Sequence, residues 1–385
     1  MLTKKGKLLL GALLPLAIIL FGVIYNFFLK PDPPLENKFV TQESAIRGDA
    51  PPQNNSEVSD QPEITVQLPS PPAAYSLSPA AHTYQTFNNC GPATLSMFLS
   101  YFDIGADQKT LGEQMRPFQN PTGDNDDKTI FPSEFTNWAL TYGRSQGLNV
   151  YYRPNGSLEL LKNLLSQDVP VVAKTWLNLK EDIGHFIIVR GYDDTKQIIT
   201  VDDSYYGPNK KYSYYDFLSL WQPFNYSYII GFENDKQAVI EQILGPELSE
   251  ETAWQNAVSR ALKEHELVPD NIYPLYNLAV GYYHIGDYKN SLKYFEEVED
   301  RLPRRMMWYQ IEPIKSYVAV KNYRRVFELI EKILEDGNRA FSELYYIRGQ
   351  IYLEQGEPEK ARHEFEQAIE YNSGYQEAVE AINAL

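Results

Sequence analysis

Residues 85 to 95 read Gln85-Thr86-Phe87-Asn88-Asn89-Cys90-Gly91-Pro92-Ala93-Thr94-Leu95, and Cys90 is the only cysteine in a chain of 385 residues. The thiol heads an apolar run, Ala93 to Phe102, whose composition suits a buried helix. Gly91-Pro92 suits a helix start, because proline lacks an N–H that the first turn would leave unbonded anyway. At a helix N-terminus the backbone N–H groups and the dipole favour thiolate over thiol. Gln85 lies five residues upstream. There its amide could join the Cys90 backbone N–H as a donor pair facing the oxygen of an attacked carbonyl. A lone cysteine is more often a small buried hydrophobe, so the reading depends on what lies downstream.

Gly184-His185-Phe186-Ile187-Ile188-Val189 supplies a candidate base at the start of a strand-like run. His82, the other histidine of this region, sits close to the Gln85 loop and is a poorer choice. Val201-Asp202-Asp203-Ser204 supplies carboxylates to orient the imidazole, with Asp193 and Asp194 as outsiders. Strand alternation puts Asp203 on one face and Asp202 on the other, and spacing does not choose between them. Glutamine, cysteine, histidine and aspartate in this order outline a cysteine nucleophile site.

Around these motifs the spacing predicts helices over 131–146 and over 158–165, the latter opened by Ser157 as N-cap. Short β-rich runs follow at 169–173, 185–191, 198–201 and 226–232, and Asp193-Asp194-Thr195-Lys196 reads as a hairpin turn. Helices first and an antiparallel strand cluster afterwards indicate an α+β domain over residues 81–236.

From 245 to 385 the pattern is helix after helix. Tyr282, Gly286, Tyr288, Ser291, Phe295, Val298 and Pro303 form one register, and Tyr352, Gly356, Ala361, Phe365 and Ala368 repeat it. Gly349 stands three before Tyr352. Tyr317, Tyr323, Val326, Ile330 and Ile333 fill the same slots between them, with Lys321 where a glycine is expected, and Ala257, Ala261 and Pro269 fit a degenerate earlier unit. The period near 35 resembles the tetratricopeptide repeat, an all-α array of helix pairs that implies a protein or peptide partner.

Toward the N-terminus, Lys4, Lys5 and Lys7 precede an uncharged stretch at 8–29. At about 1.5 Å per residue it is long enough for a hydrocarbon core of about 30 Å. Residues 1–30 therefore read as a single-pass transmembrane anchor, with a cleaved signal peptide as the alternative, and the lysine bias places the N-terminus in the cytoplasm and the rest outside the cell membrane. Residues 31–80, rich in Pro, Ser, Asn and Gln, read as a disordered tether. A formal charge of −16 leaves no clustered basic surface for nucleic acid. Neither a paired-cysteine metal site, an HExxH motif nor a glycine-rich phosphate loop is present, so neither metal nor cofactor is expected. The acidic stretch at 123–127 lacks the glycine and terminal glutamate of a calcium loop.

Gln85…Cys90-Gly91-Pro92-Ala93, Gly184-His185-Phe186 and Val201-Asp202-Asp203-Ser204 together resemble the C39-type peptidase-like domain of the papain-like cysteine peptidase superfamily. The resemblance implies a papain-like fold with Cys90 as nucleophile, His185 as base and Gln85 at the oxyanion hole. It favours Asp203 as the third member, since the family commonly writes Val-x-Asp-Pro, although Ser204 replaces that proline here. It further implies hydrolysis of a peptide or amide bond. A scaffold that reuses the fold without hydrolysis, or an acyl or amide transferase, is the alternative.

Overall fold

The computed structural model describes residues 68–117 and 130–385. The apolar run at 8–29, residues 31–67 of the expected tether and the acidic stretch at 123–127 lie outside the described residues, whereas 68–80 is not all tether, since Ala74–Ser76 pair as a strand with Gly191–Asp193. Among the described residues no helix is long and apolar enough to cross a membrane.

Strand β1 (Ala74–Ser76) precedes helix α1 (Cys90–Leu99), which a 3₁₀ turn extends to Phe102. Gly91 through Leu95 and Met97 through Leu99 are all buried, so α1 runs through a core rather than across its surface. Helix α2 (Gln108–Met115) is capped by Asp107, and α3 (Pro132–Gly143) carries Pro132 in its first turn. After β2 (Leu148–Arg153), α4 (Leu158–Leu165) opens with Ser157 Oγ accepting the Leu160 N–H at 3.1 Å. Strands β3 (Val171–Trp176), β4 (Gly184–Asp193), β5 (Ile198–Asp203) and β6 (Gly207–Ser213), helix α5 (Tyr214–Trp221) and strand β7 (Tyr228–Glu233) complete this part.

The strands form one antiparallel sheet in the order β2-β7-β3-β4-β5-β6, with β1 also paired to β4. The β4–β5 hairpin turns at the expected Asp193-Asp194-Thr195-Lys196. It sets Ile188 opposite Asp202, so the start of β4 lies beside the end of β5. Helix α1 is tied to the same point by Thr94 Oγ1, which donates to the Phe186 carbonyl at 3.1 Å. Three chain segments thus converge at one end of the sheet. Strand β3 runs to Trp176, past the 169–173 read from sequence: Lys174 and Thr175 look like a strand end, yet both are buried. Strands β2 and β6 were not legible as runs; β2 gains its partner only from β7, far along the chain.

Helix α6 (Gln237–Leu244) leads into the array of α7 (Glu250–Leu267), α8 (Ile272–His284), α9 (Tyr288–Val298), α10 (Glu312–Ala319), α11 (Tyr323–Glu335), α12 (Ser342–Glu354), α13 (Pro358–Tyr371) and α14 (Gln376–Asn383). Gly349 sits where α12 meets α13: a Cβ there would lie 2.4 Å from the Phe365 ring. Gly286 and Gly356 turn between paired helices at φ of +77° and +76°, the left-handed region that glycine enters without strain.

The array packs on the sheet-containing part through a shared core. Trp176, Leu220 and Phe224 are buried in one cluster with Trp254, Tyr276 and Ile311. Such burial stabilises by roughly 1.5–3 kcal/mol per large side chain. Polar ties run alongside: Glu264 accepts from Gln222 Nε2 and Tyr226 Oη at 2.8 Å each, and Arg116 reaches Glu134 at 2.7 Å and Glu343 at 3.1 Å.

Candidate active site

His185 stands at the start of β4, 2% exposed, with Nε2 3.0 Å from Asp203 Oδ1. The other ring nitrogen is left for the Cys90 thiol, whose sulfur raises the imidazole. Asp203 Oδ1 also accepts the backbone N–H groups of Tyr205 at 2.7 Å and Tyr206 at 3.0 Å. The turn after β5 therefore fixes the carboxylate as seen from the imidazole. Asp202 points elsewhere: its Oδ1 accepts the Asn209 N–H at 2.9 Å and lies 3.7 Å from Arg190 Nε. Of the two carboxylates that spacing left open, Asp203 is the one brought to His185. Asp193 binds the Lys196 N–H in the hairpin turn and Asp194 accepts from Tyr214, both at the far end of β4.

Gln85 arrives on a loop laced to the end of β5. His82 Nε2 is 3.1 Å from the Asp203 carbonyl oxygen, and the Gln85 N–H donates to the Ser204 carbonyl at 2.8 Å. Ser204 Oγ then donates to Gln85 Oε1 at 2.9 Å, which leaves the amide NH₂ as the free donor end. Ser204, in the family's proline slot, thereby orients the glutamine. Cys90 occupies the first turn of α1, where N–H groups have no carbonyl one turn behind them.

The electrostatics follow from this geometry. Burial pushes the Cys90 thiol up, but the His185 hydrogen bond and charge, the Lys174 ammonium and the Phe186 backbone outweigh it, and the thiol ends below its ordinary value. Burial pulls His185 down, yet Asp203 and the Cys90 sulfur together raise it to about 9. Burial also pushes Asp203 up, and His185 with the Tyr205 and Tyr206 N–H groups brings it below the usual carboxylate range. Between the lowered Cys90 value and about pH 9 the favoured state is thus a thiolate–imidazolium pair braced by a carboxylate, which titrates as a unit.

Three residues near the site were missed in the sequence. Ser204 was read only as a departure from the family pattern. Lys174, a lone cation in an apolar run, was a usable signal. Tyr309 has no local signal, since it comes from the array. Tyr84, Phe87, Leu179, Ile183, Tyr205 and Tyr206 are exposed, and they flank Gln85, Cys90, His185 and Asp203 along the chain.

A putative C39-like peptidase from Bacillus anthracis is 17% identical over 42% of this chain and 98% of its own, with a TM-score of 0.35. A double glycine motif protease from an AMS/PCAT transporter, solved in complex with the leader peptide, is 14% identical over 41% of this chain and 93% of its own, with a TM-score of 0.28. MamA is 17% identical over 34% of this chain and 77% of its own, with a TM-score of 0.31. No curated protein matches the chain. Residues 72–229 match the Peptidase_C39 like family, and residues 342–375 match the tetratricopeptide repeat.

Proposed function

We propose that this protein is a cysteine peptidase that cleaves a peptide or amide bond in an extended polypeptide. The observation that carries the reading is His185 held between the Cys90 thiol and the Asp203 carboxylate. The Cys90 thiolate attacks the carbonyl carbon, and the Gln85 amide with the α1 N–H groups receives the negative oxygen. His185 gives its proton to the leaving amine as the C–N bond breaks, leaving a thioester on Cys90. It then takes a proton from water, whose oxygen attacks the thioester and releases the acid and the thiolate. The exposed Tyr84, Phe87, Tyr205 and Tyr206, close along the chain to Gln85, Cys90 and Asp203, support a polypeptide substrate. The apolar run at 8–29 supports a membrane-anchored, outward-facing placement, and the repeats support a protein partner on faces that the sheet-containing part leaves uncovered.

The test is to incubate the whole chain with a peptide library and read the products by mass spectrometry, with Cys90-alkylated protein as control. Cleavage that survives alkylation overturns the reading. For a peptide that is cleaved, kcat/KM is expected to follow a bell. It falls on the acid side as Cys90 gains a proton, below the usual thiol range, and on the alkaline side near about 9, where His185 loses the proton that the leaving amine needs. Gln85→Ala is expected to lower kcat by about 10²–10³ while leaving Cys90 alkylation unchanged, because it removes a donor used only once charge has moved to the carbonyl oxygen.

A further inference from the structure

Lys174 sits in the middle of β3 and is 5% exposed. Its ammonium lies 3.9 Å from the Phe186 ring centre, 5.2 Å from that of Tyr309 and 5.8 Å from that of Phe224. Among the described residues no carboxylate pairs with it, and the negative charge that acts on it is the Cys90 sulfur. A buried cation without a counter-charge is costly, and aromatic faces compensate only part of that cost. The register explains how lysine and sulfur come together. Lys174 pairs with Phe186 across β3 and β4, while Thr94 Oγ1, one turn on from Cys90, donates to the Phe186 carbonyl at 3.1 Å.

The third wall of this cage comes from the helical array. Tyr309 follows a 3₁₀ turn at Met306–Trp308, ahead of α10. Its ring packs on Trp176 at 5.7 Å between centres. Gly184 has no space for a side chain, since a Cβ there would lie 2.8 Å from the Tyr309 ring. Arg305 fastens the same segment to Asp182, through its backbone N–H at 2.9 Å and its guanidinium at 2.7 Å. Residues 305–309 thus grip the loop that leads into His185.

We propose that Lys174 is a second cationic partner of the Cys90 thiolate, and that Tyr309 of the helical array holds it in place. The proposal rests on Cys90 being the nucleophile, but it concerns the ionisation of the sulfur and not turnover. The charged and titratable groups around that sulfur are His185 from β4 with Asp203 behind it, Lys174 from β3, the Tyr309 hydroxyl, and the Asp182–Arg305 pair at the rim. Burial lowers Lys174 to about 8 against the opposing pull of Cys90, so the ammonium persists through neutral pH. Lys174 is a positioning residue: it keeps the sulfur ionised without touching the scissile bond.

The test is the rate of Cys90 alkylation by iodoacetamide against pH, in the whole chain and again in a His185→Ala background, where Lys174 is the nearest cation left. Lys174→Met is expected to raise the midpoint by about one pH unit in both backgrounds, a tenfold loss of thiolate at acid pH. Lys174→Arg, which keeps the charge, is expected to retain the low midpoint. Tyr309→Ala is expected to shift it in the same direction as Lys174→Met and by less. Equal shifts in the Met and Arg variants, or an unchanged midpoint in a folded Met variant, would overturn the role of Lys174. If circular dichroism shows that Met disrupts the fold, Lys174→Gln carries the same expectation. An unchanged midpoint in Tyr309→Ala overturns the part given to the array. Were the wild type to cleave no peptide while these shifts appeared, the peptidase reading would fail and this one would stand.

Discussion

Cys90→Ala is expected to abolish peptide cleavage, with kcat reduced by about 10⁵–10⁶ and the fold intact. The magnitude follows from covalent chemistry: without sulfur there is no thioester, and only the oxyanion donors and substrate binding remain. The fold should survive because Cys90 is half-buried at a helix start and makes no disulfide. Loss of the thiolate also removes a hydrogen bond and a charge that hold His185 up, so the imidazole of the variant should titrate lower than about 9. Turnover by product analysis and the His185 proton resonance against pH check the two halves. Residual cleavage near the wild-type rate would remove Cys90 from the chemistry.

His185→Ala is the second large effect, with kcat expected to fall by about 10⁵ or more while KM changes little, since the imidazole moves protons rather than binding the ground state. The substitution also leaves Asp203 buried with only the Tyr205 and Tyr206 N–H groups as donors. Breaking a buried charged pair costs about 3–5 kcal/mol, and those two remaining donors should hold the loss to the lower end of that range. Asp203→Asn in the same background should recover part of the stability and none of the activity. Denaturant unfolding and turnover on the wild type and the two variants separate the two consequences.

The site was legible in the sequence where chemistry and local structure coincide. A thiol before Gly-Pro at a helix start and a histidine opening a strand each announce themselves within a few residues. Spacing did not choose between Asp202 and Asp203, which only the resemblance favoured, because alternation gives two faces and the β4–β5 register decides which one meets His185. Lys174 ended the predicted strand prematurely: a lysine in an apolar run reads as a boundary until aromatic rings from β4 and the array are seen around it. The array itself was visible as a period, down to its missing glycine. Lys321 occupies that slot at φ +59°, so the turn is kept and a lysine adopts the backbone that glycine adopts in the neighbouring units. What periodicity could not reveal is the shared core. An amphipathic pattern marks a face as covered without naming the cover, and here Trp176, Leu220 and Phe224 supply part of it.

With the repeats packed on the sheet-containing part, the segment at 305–309 bears on the loop before His185. The proposed partner surface on the array and the proposed nucleophile are thus parts of one packed unit, joined through Tyr309 and Lys174.

The most direct test of the central claim uses the fact that Cys90 is the sole cysteine, so the ultraviolet absorbance of a thiolate can come from no other residue. Titrated in the wild type and in His185→Ala, the thiolate signal is expected to persist below the ordinary thiol range in the first, and to retreat upward in the second. A midpoint near about 8.5 in both proteins, the value of an unperturbed thiol, would contradict it.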